Sequence, residues 1–274
     1  MIATPRSSME CSNAHGRLAQ WYDSDWLNVY YAAKDVIAEV APSRLQDFIR
    51  SFDILRTDPG FETRGLPNLL DRDELAFIQS IIAALPMTRL KVHEMKDFGR
   101  FVVHDIPEFT AIQNSLEERA SEWAGEPLQS SYNFLSLYTK LGECKPHLDS
   151  PSAKWTLDLC IGQSTTWPIH LGKVIPWPDR DARLSDDYMA NIKTDPTLGF
   201  AAHILTAGDA VFFSGSSQWH YRDAMPTDQK NHFCDLLFMH FIPQGAVEIV
   251  QPKNWPALFG VPELALVNRI NDAL

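Results

Sequence analysis

Cysteine is scarce in this chain: four in 274 residues, Cys11, Cys144, Cys160 and Cys234, with no Cys-x-x-Cys spacing. That excludes a disulfide framework and a zinc knuckle and reads as reduced thiols. Long apolar runs are also missing. No stretch of 18 or more apolar residues occurs and the first 20 residues hold no apolar core segment, so neither a membrane span nor a secretory leader is expected, and a cytoplasmic location is. Basic runs are lacking in a chain of formal charge −11, which argues against a nucleic-acid partner, because phosphate binding needs a basic footprint. There are no internal repeats and no low-complexity tract. What the chain does have is 45% hydrophobic residues, enough to bury the core of one large domain.

The first half reads as helices and the second as strands, an α+β pattern. Residues 1–17 are polar and small and read as a mobile tail; 18–274 read as a single domain. Within it, 18–125 is mainly helical support with a hairpin, 126–245 is a barrel core, and 246–274 is a C-terminal segment. Trp21, Trp26, Val29, Tyr30, Ala33 and Ile37 recur at helical spacing over Leu18 to Val40, and Pro42 stops that helix. A second helix is expected over Arg72 to Leu85, with Asp71 and Glu74 as a capping box and Pro86 after it. Leu90 to Met95 and Arg100 to His104 suggest a hairpin about Asp97-Phe98-Gly99, and Pro107 to Trp123 a third helix with Gly125 at its exit.

Strand signals follow. Tyr132 to Tyr138 is dense in aromatic and apolar residues, and Trp155-Thr156-Leu157-Asp158-Leu159-Cys160-Ile161 alternates cleanly. His203-Ile204-Leu205 and Val211-Phe212-Phe213 flank a Gly- and Asp-containing link that suits a tight hairpin. A last strand spans about His232 to Ile242. Between Ser164 and Phe200, Trp167-Pro168, Ile175-Pro176-Trp177-Pro178 and the acidic run Asp179 to Asp187 form a stretch too long for a turn. It reads as a substrate-selecting insertion of about 164–200, with Trp167 and Trp177 as candidate substrate contacts.

The chemistry-bearing pattern is His147-Leu148-Asp149 at one strand end and His220 beyond a later one. Two neutral imidazoles and a carboxylate on one side of an octahedral ion leave three adjacent positions free, the requirement of non-haem Fe(II) oxygen chemistry. Random placement in this composition gives about one His-x-acid match, so strand position and order carry the reading. His203 is the poorer distal ligand, because it precedes the Ala207 to Asp209 link. His93, His104 and His170 carry no motif, and His232 and His240 read as structural.

On these residues the chain, from about Tyr132 to Pro243, resembles the Fe(II)/2-oxoglutarate-dependent dioxygenase superfamily. The resemblance implies a double-stranded β-helix, a jelly-roll or cupin-like barrel core buttressed by the N-terminal helices. It implies Fe(II) on His147, Asp149 and His220, with 2-oxoglutarate and O2 as cosubstrates. The family fixes the far carboxylate of 2-oxoglutarate with a basic residue, for which Arg222 and Lys230 are both candidates, and places on the preceding strand a tyrosine that Tyr138 resembles. The implied activity is hydroxylation of an unactivated C–H of a small molecule or short peptide, with release of succinate and CO2. A carboxylate at 149 points away from halogenation. Two alternatives remain at this stage: a 2-oxoglutarate-independent cupin-type metalloenzyme, and a non-catalytic jelly-roll binding module.

Overall fold

The computed structural model describes residues 26–178, 187–226, 228 and 231–267. The expected tail, the start of the first expected helix, most of the acidic run and Lys230 lie outside them. Seven α-helices are described: α1 (Trp26–Val40), α2 (Leu45–Ser51), α3 (Arg72–Ala83), α4 (Pro107–Ser115), α5 (Glu117–Ala124), α6 (Tyr188–Thr194) and α7 (Trp255–Phe259). The ten strands are β1 (Arg64–Leu66), β2 (Arg100–His104), β3 (Leu128–Tyr138), β4 (Cys144–His147), β5 (Trp155–Gln163), β6 (Ile169–Val174), β7 (Ala201–His203), β8 (Ala210–Phe213), β9 (Gln218–Arg222) and β10 (Cys234–Pro243).

They form two sheets. The larger runs β1-β8-β5-β10-β3-β2 and the smaller β4-β9-β6-β7, with every pairing antiparallel. Facing sheets that exchange successive strands in this way make a double-stranded β-helix. The alternation of β5 explains how the layers stack. Its odd residues Trp155, Leu157, Leu159 and Ile161 join Leu237, Met239 and Phe241 of β10 in a core shared with Ile78, Phe109 and Ala120 of α3, α4 and α5. The even residues of the same strands turn to the other face, between the sheets. The helices therefore cover one face of the larger sheet, as the apolar stripe of each demands.

A second core is almost wholly aromatic. Trp26 and Tyr30 of α1 pack with Phe48 of α2, Phe52, Trp255 of α7 and Trp177, at centroid separations of 4.8–5.8 Å, mostly edge to face, with Tyr30 stacked on Trp26 and Phe48. The edge-to-face pairs place a ring edge against a neighbour's π-face. The Trp26 indole donates to Val250 O at 2.8 Å, so its polar atom is satisfied in the interior.

Several expected elements take a different form. The capping box of α3 is present, Asp71 accepting from Asp73 and Glu74 while Glu74 accepts from the Asp71 amide. The third helix breaks at Leu116 into α4 and α5. Leu90 to Met95 does not make a hairpin strand; an isolated bridge from Lys91 to Val102 is all that pairs there. The stretch from 203 to 213 is not a hairpin either. β7 pairs with β6 in the smaller sheet and β8 with β5 and β1 in the larger, so the Gly208 turn, at φ 95°, carries the chain from one sheet to the other. β6 falls inside the region read as an insertion; its residues Ile169 to Val174 are barrel, which leaves 175–200 between barrel strands.

Candidate metal centre and its cavity

β4 and β9 are the neighbouring strands that assemble the site. Their register sets His147 opposite His220 and Cys144 opposite Arg222, with an irregularity between. The imidazole centroids stand 4.1 Å apart. Asp149 follows β4 by two residues, and its amide donates to Gly215 O at 2.9 Å, which anchors the carboxylate to the loop preceding β9. That loop is itself fastened by Gln218: its side-chain carbonyl accepts from the Ser214 amide at 2.8 Å and its amide group donates to Gly172 O at 2.7 Å. Gly215 sits so close that a Cβ there would lie 2.2 Å from Asp149 Oδ2 and 2.5 Å from Thr156 Oγ1.

Each histidine has its Nδ1 against a backbone carbonyl two residues earlier, Lys145 O for His147 at 2.8 Å and Gln218 O for His220 at 2.9 Å. An Nδ1–H donating to a carbonyl leaves Nε2 as the lone-pair atom, the orientation metal-ligating histidines use. The two Nε2 atoms lie 3.4 and 3.5 Å from Asp149 Oδ1, and one ligand atom from each of the three residues falls within 4.8 Å of the others. Among the described residues this is the single His, Cys, Asp or Glu cluster with that geometry. Two imidazole nitrogens and one carboxylate oxygen converging from one side fit a facial ion.

The electrostatics agree with the geometry. Burial works against charge on Asp149, but the two imidazoles hold its carboxyl well below the usual carboxylate range. Burial likewise opposes charge on His147, yet the neighbouring Cys144 and Asp149 raise its pKa well above the ordinary histidine value. A cation arriving here would take the place of a proton.

A cavity of about 200 Å³ opens between the sheets at the triad. Its wall includes Tyr132, Phe134 and Tyr138 of β3, Thr156 and Asp158 of β5, Phe238 and His240 of β10, Arg100 and His104 of β2, and Arg222 of β9. These are the inward residues of strands whose alternate positions face the helices.

No family model and no curated protein matches this chain. Among solved structures, HygX from Streptomyces hygroscopicus with nickel, 2-oxoglutarate and hygromycin B bound superposes with a TM-score of 0.52. Identity is 11%, over 72% of this chain and 86% of that one. HygX with nickel and 2-oxoglutarate gives a TM-score of 0.50 at the same identity and the same coverage. EctD from S. alaskensis with 2-oxoglutarate and 5-hydroxyectoine gives 0.49 at 15% identity, over 71% of this chain and 75% of that one. This chain has the fold of the Fe(II)/2-oxoglutarate-dependent oxygenases.

Within that oxygenase fold, the other residues singled out from sequence fall in different places. Arg222 is fully buried beside the triad; its Nη2 donates to Asp158 Oδ2 at 2.7 Å and its Nη1 to Trp167 O. The Tyr138 hydroxyl accepts from Arg100 Nη1 at 2.8 Å, and burial raises its pKa, with Arg100 opposing. Trp167 does not line the cavity. It packs edge-on against Tyr138 at 4.7 Å and beneath the Arg222 guanidinium at 5.1 Å. Trp177 lies in the aromatic core with Trp26 and Tyr30, under Arg56 at 4.6 Å, away from the cavity wall. Both tryptophans thus have packed neighbours on their rings and lie outside the residues that line the cavity.

Among the cavity residues not singled out from sequence as site residues are the polar or charged Arg100, Thr156, Asp158 and His240. Arg100 is the partner of Tyr138 across β2 and β3, held by Glu94 at 2.5 Å. The available signal was parity. Each is polar or charged at an alternate position of a strand whose other face is apolar, a pattern that period alone assigns neither to water nor to an enclosed interior.

Proposed function

We propose that this chain is an Fe(II)- and 2-oxoglutarate-dependent oxygenase that hydroxylates an unactivated C–H bond of a small molecule or short peptide. The observation that carries the reading is the convergence of His147 Nε2, Asp149 Oδ1 and His220 Nε2 in a cavity that also holds a buried arginine. HygX, which shares the fold, holds nickel and 2-oxoglutarate in its structure together with a small molecule, hygromycin B, and we carry that ligand pair over to this site.

His147, Asp149 and His220 would hold Fe(II), and Arg222 would face the far carboxylate of 2-oxoglutarate. When bound, Fe(II) with 2-oxoglutarate and O2 supplies the oxidising power to break a C–H bond, leaving succinate and CO2. The protein's part is positional. Backbone carbonyls fix both imidazole tautomers, Thr156 donates to Asp149 Oδ2 at 3.0 Å and leaves Oδ1 toward the histidines, and Arg222 brings a charge that a buried carboxylate requires. Arg100, bound to Tyr138, puts a second fixed cation in the same wall.

A three-ligand cluster favours this reading over a cupin-type metalloenzyme, which commonly uses more histidines. His240, the remaining histidine near the triad, has its Nδ1 engaged with Thr156. The deciding experiment is an anaerobic titration with Fe(II) and then 2-oxoglutarate, monitored for the weak visible charge-transfer band. A band that needs both additions and is lost in His147→Ala supports the proposal. Tight metal binding without the band transfers the site to 2-oxoglutarate-independent chemistry, and no metal binding leaves a binding module.

A further inference from the structure

His240 sits two hydrogen bonds from Asp149, through the Thr156 hydroxyl. Asp149 Oδ2 takes its bond from Thr156 Oγ1 at 3.0 Å, and the same hydroxyl lies 3.1 Å from His240 Nδ1. An ionised carboxylate can only accept, so the single hydroxyl proton goes to Asp149. The hydroxyl oxygen must then accept from Nδ1–H of His240. Burial pushes the pKa of His240 down to about 4, so its ring carries one N–H at neutral pH and Nε2 is a bare acceptor. That atom is buried and has no hydrogen-bond partner among the described residues. Oδ1 of Asp158, from the neighbouring register position on β5, is in the same condition.

Two orphaned acceptors in one cavity wall call for an occupant that donates. 2-Oxoglutarate does not qualify: at neutral pH its two carboxylates and keto group are all acceptors. The donor belongs to a different molecule. The surroundings of His240 say what else that molecule carries. Tyr132, Phe134 and Phe238 stand with their rings within 32° of the His240 plane at centroid separations of 4.3, 5.7 and 6.4 Å. All three are part-buried and line the cavity. Near-parallel rings with exposed area offer a stacking surface to another flat group.

We propose that His240 is a specificity-determining residue: its Nε2 accepts a hydrogen bond from a hydroxyl or amino group of the substrate while Tyr132, Phe134 and Phe238 hold a flat ring of the same molecule. The substrate class is a donor-bearing, ring-containing small molecule. This rests on the oxygenase reading and deepens it. Thr156 is the positioning residue, since its hydroxyl sets which nitrogen of His240 is bare.

The test uses the full-length protein with 15N-labelled histidine, loaded with Zn(II) and 2-oxoglutarate so that the spectra stay diamagnetic, and His240→Gln to assign the signal. Wild type is expected to show His240 as the Nδ1–H tautomer. Adding 2-phenylethanol or 2-phenylethylamine should shift its Nε2 resonance saturably, whereas 2-phenylethyl methyl ether, which keeps the ring and loses the donor, should not. The alcohol and amine arms separate the two donor sources. In Thr156→Val the tautomer lock is removed, and affinity for whichever donor probe binds should fall about tenfold. An Nε2–H tautomer in wild type, no response to either donor, or an equal response to the ether overturns the proposal. The Fe(II) charge-transfer band, recorded on the same preparation, keeps the two readings apart: an intact band with an unresponsive His240 sinks this inference alone, and a missing band sinks the oxygenase reading.

Discussion

The molecule contains two aromatic clusters, and they are built for opposite ends. Around Trp26, Tyr30, Phe48, Phe52 and Trp255 every ring is at most 5% exposed and packs mainly edge to face, with indole N–H groups of Trp26 and Trp255 bonded to backbone carbonyls. Around Tyr132, Phe134, Phe238 and His240 the rings are near-parallel, three are only part-buried, and one nitrogen is orphaned. The first cluster is sealed from solvent, although the Nε1 of its sixth ring, Trp177, is buried with no hydrogen-bond partner among the described residues. The second keeps part of its ring area open to a cavity. Aromatic density therefore says little about where a protein binds things; ring area left open to a cavity says much more.

Mutations can press on that contrast. The largest effect is expected at the ion: His147→Ala should weaken Fe(II) binding more than about 100-fold in anaerobic titration while leaving the melting temperature close to wild type. Asp158→Ala leaves the Arg222 charge buried without its anion, and urea unfolding should show a loss of about 3–5 kcal/mol. Saturating 2-oxoglutarate should return part of it, and no recovery would mean that Arg222 does not face the cosubstrate. Phe52→Ala, in the sealed cluster, should cost about 3 kcal/mol or more and leave the Fe(II) titration unchanged. Phe238→Leu should cost less than about 1.5 kcal/mol, because its ring borders a cavity. If it costs as much as Phe52→Ala, the second cluster is an ordinary core and the comparison fails.

The smallest effect concerns Asp235, whose carboxyl burial raises to about 6. A raised folded-state pKa binds protons more tightly than the unfolded chain, so this group's contribution to stability falls as pH rises from about 4 to about 6. Asp235→Asn should stabilise the protein by about 1 kcal/mol at pH 7, after allowance for solvent screening, and the gain should vanish at pH 4 in parallel unfolding curves.

Much of this organisation was legible in the residues. The His147-Leu148-Asp149 motif and distant His220 do converge, and the capping box of Asp71 and Glu74 marks its helix. The even positions of β5 were harder to read. Thr156, Asp158 and Cys160 alternate with an apolar face, and period-2 patterning cannot distinguish a polar face toward water from one lining an enclosed cavity. The sheet exchange at Gly208 was hidden for a related reason: a turn signal fixes a local reversal but not which sheet the next strand joins. Trp177 packs in the aromatic core, a place its sequence does not announce, because a tryptophan in a long connection is equally at home on a ligand or in a core.

Gly215 lies in Ser214-Gly215-Ser216-Ser217, a sequence that looks like a flexible spacer able to absorb any change. The space its missing side chain leaves is instead filled by the Asp149 carboxylate and the Thr156 hydroxyl. A saturation-mutagenesis map of this protein would thus show a narrow notch of intolerance at position 215, where even alanine would push the Asp149 carboxylate out of line. For anyone redesigning the protein, this loop is the wrong place to graft a tag, shorten a connection or diversify a library.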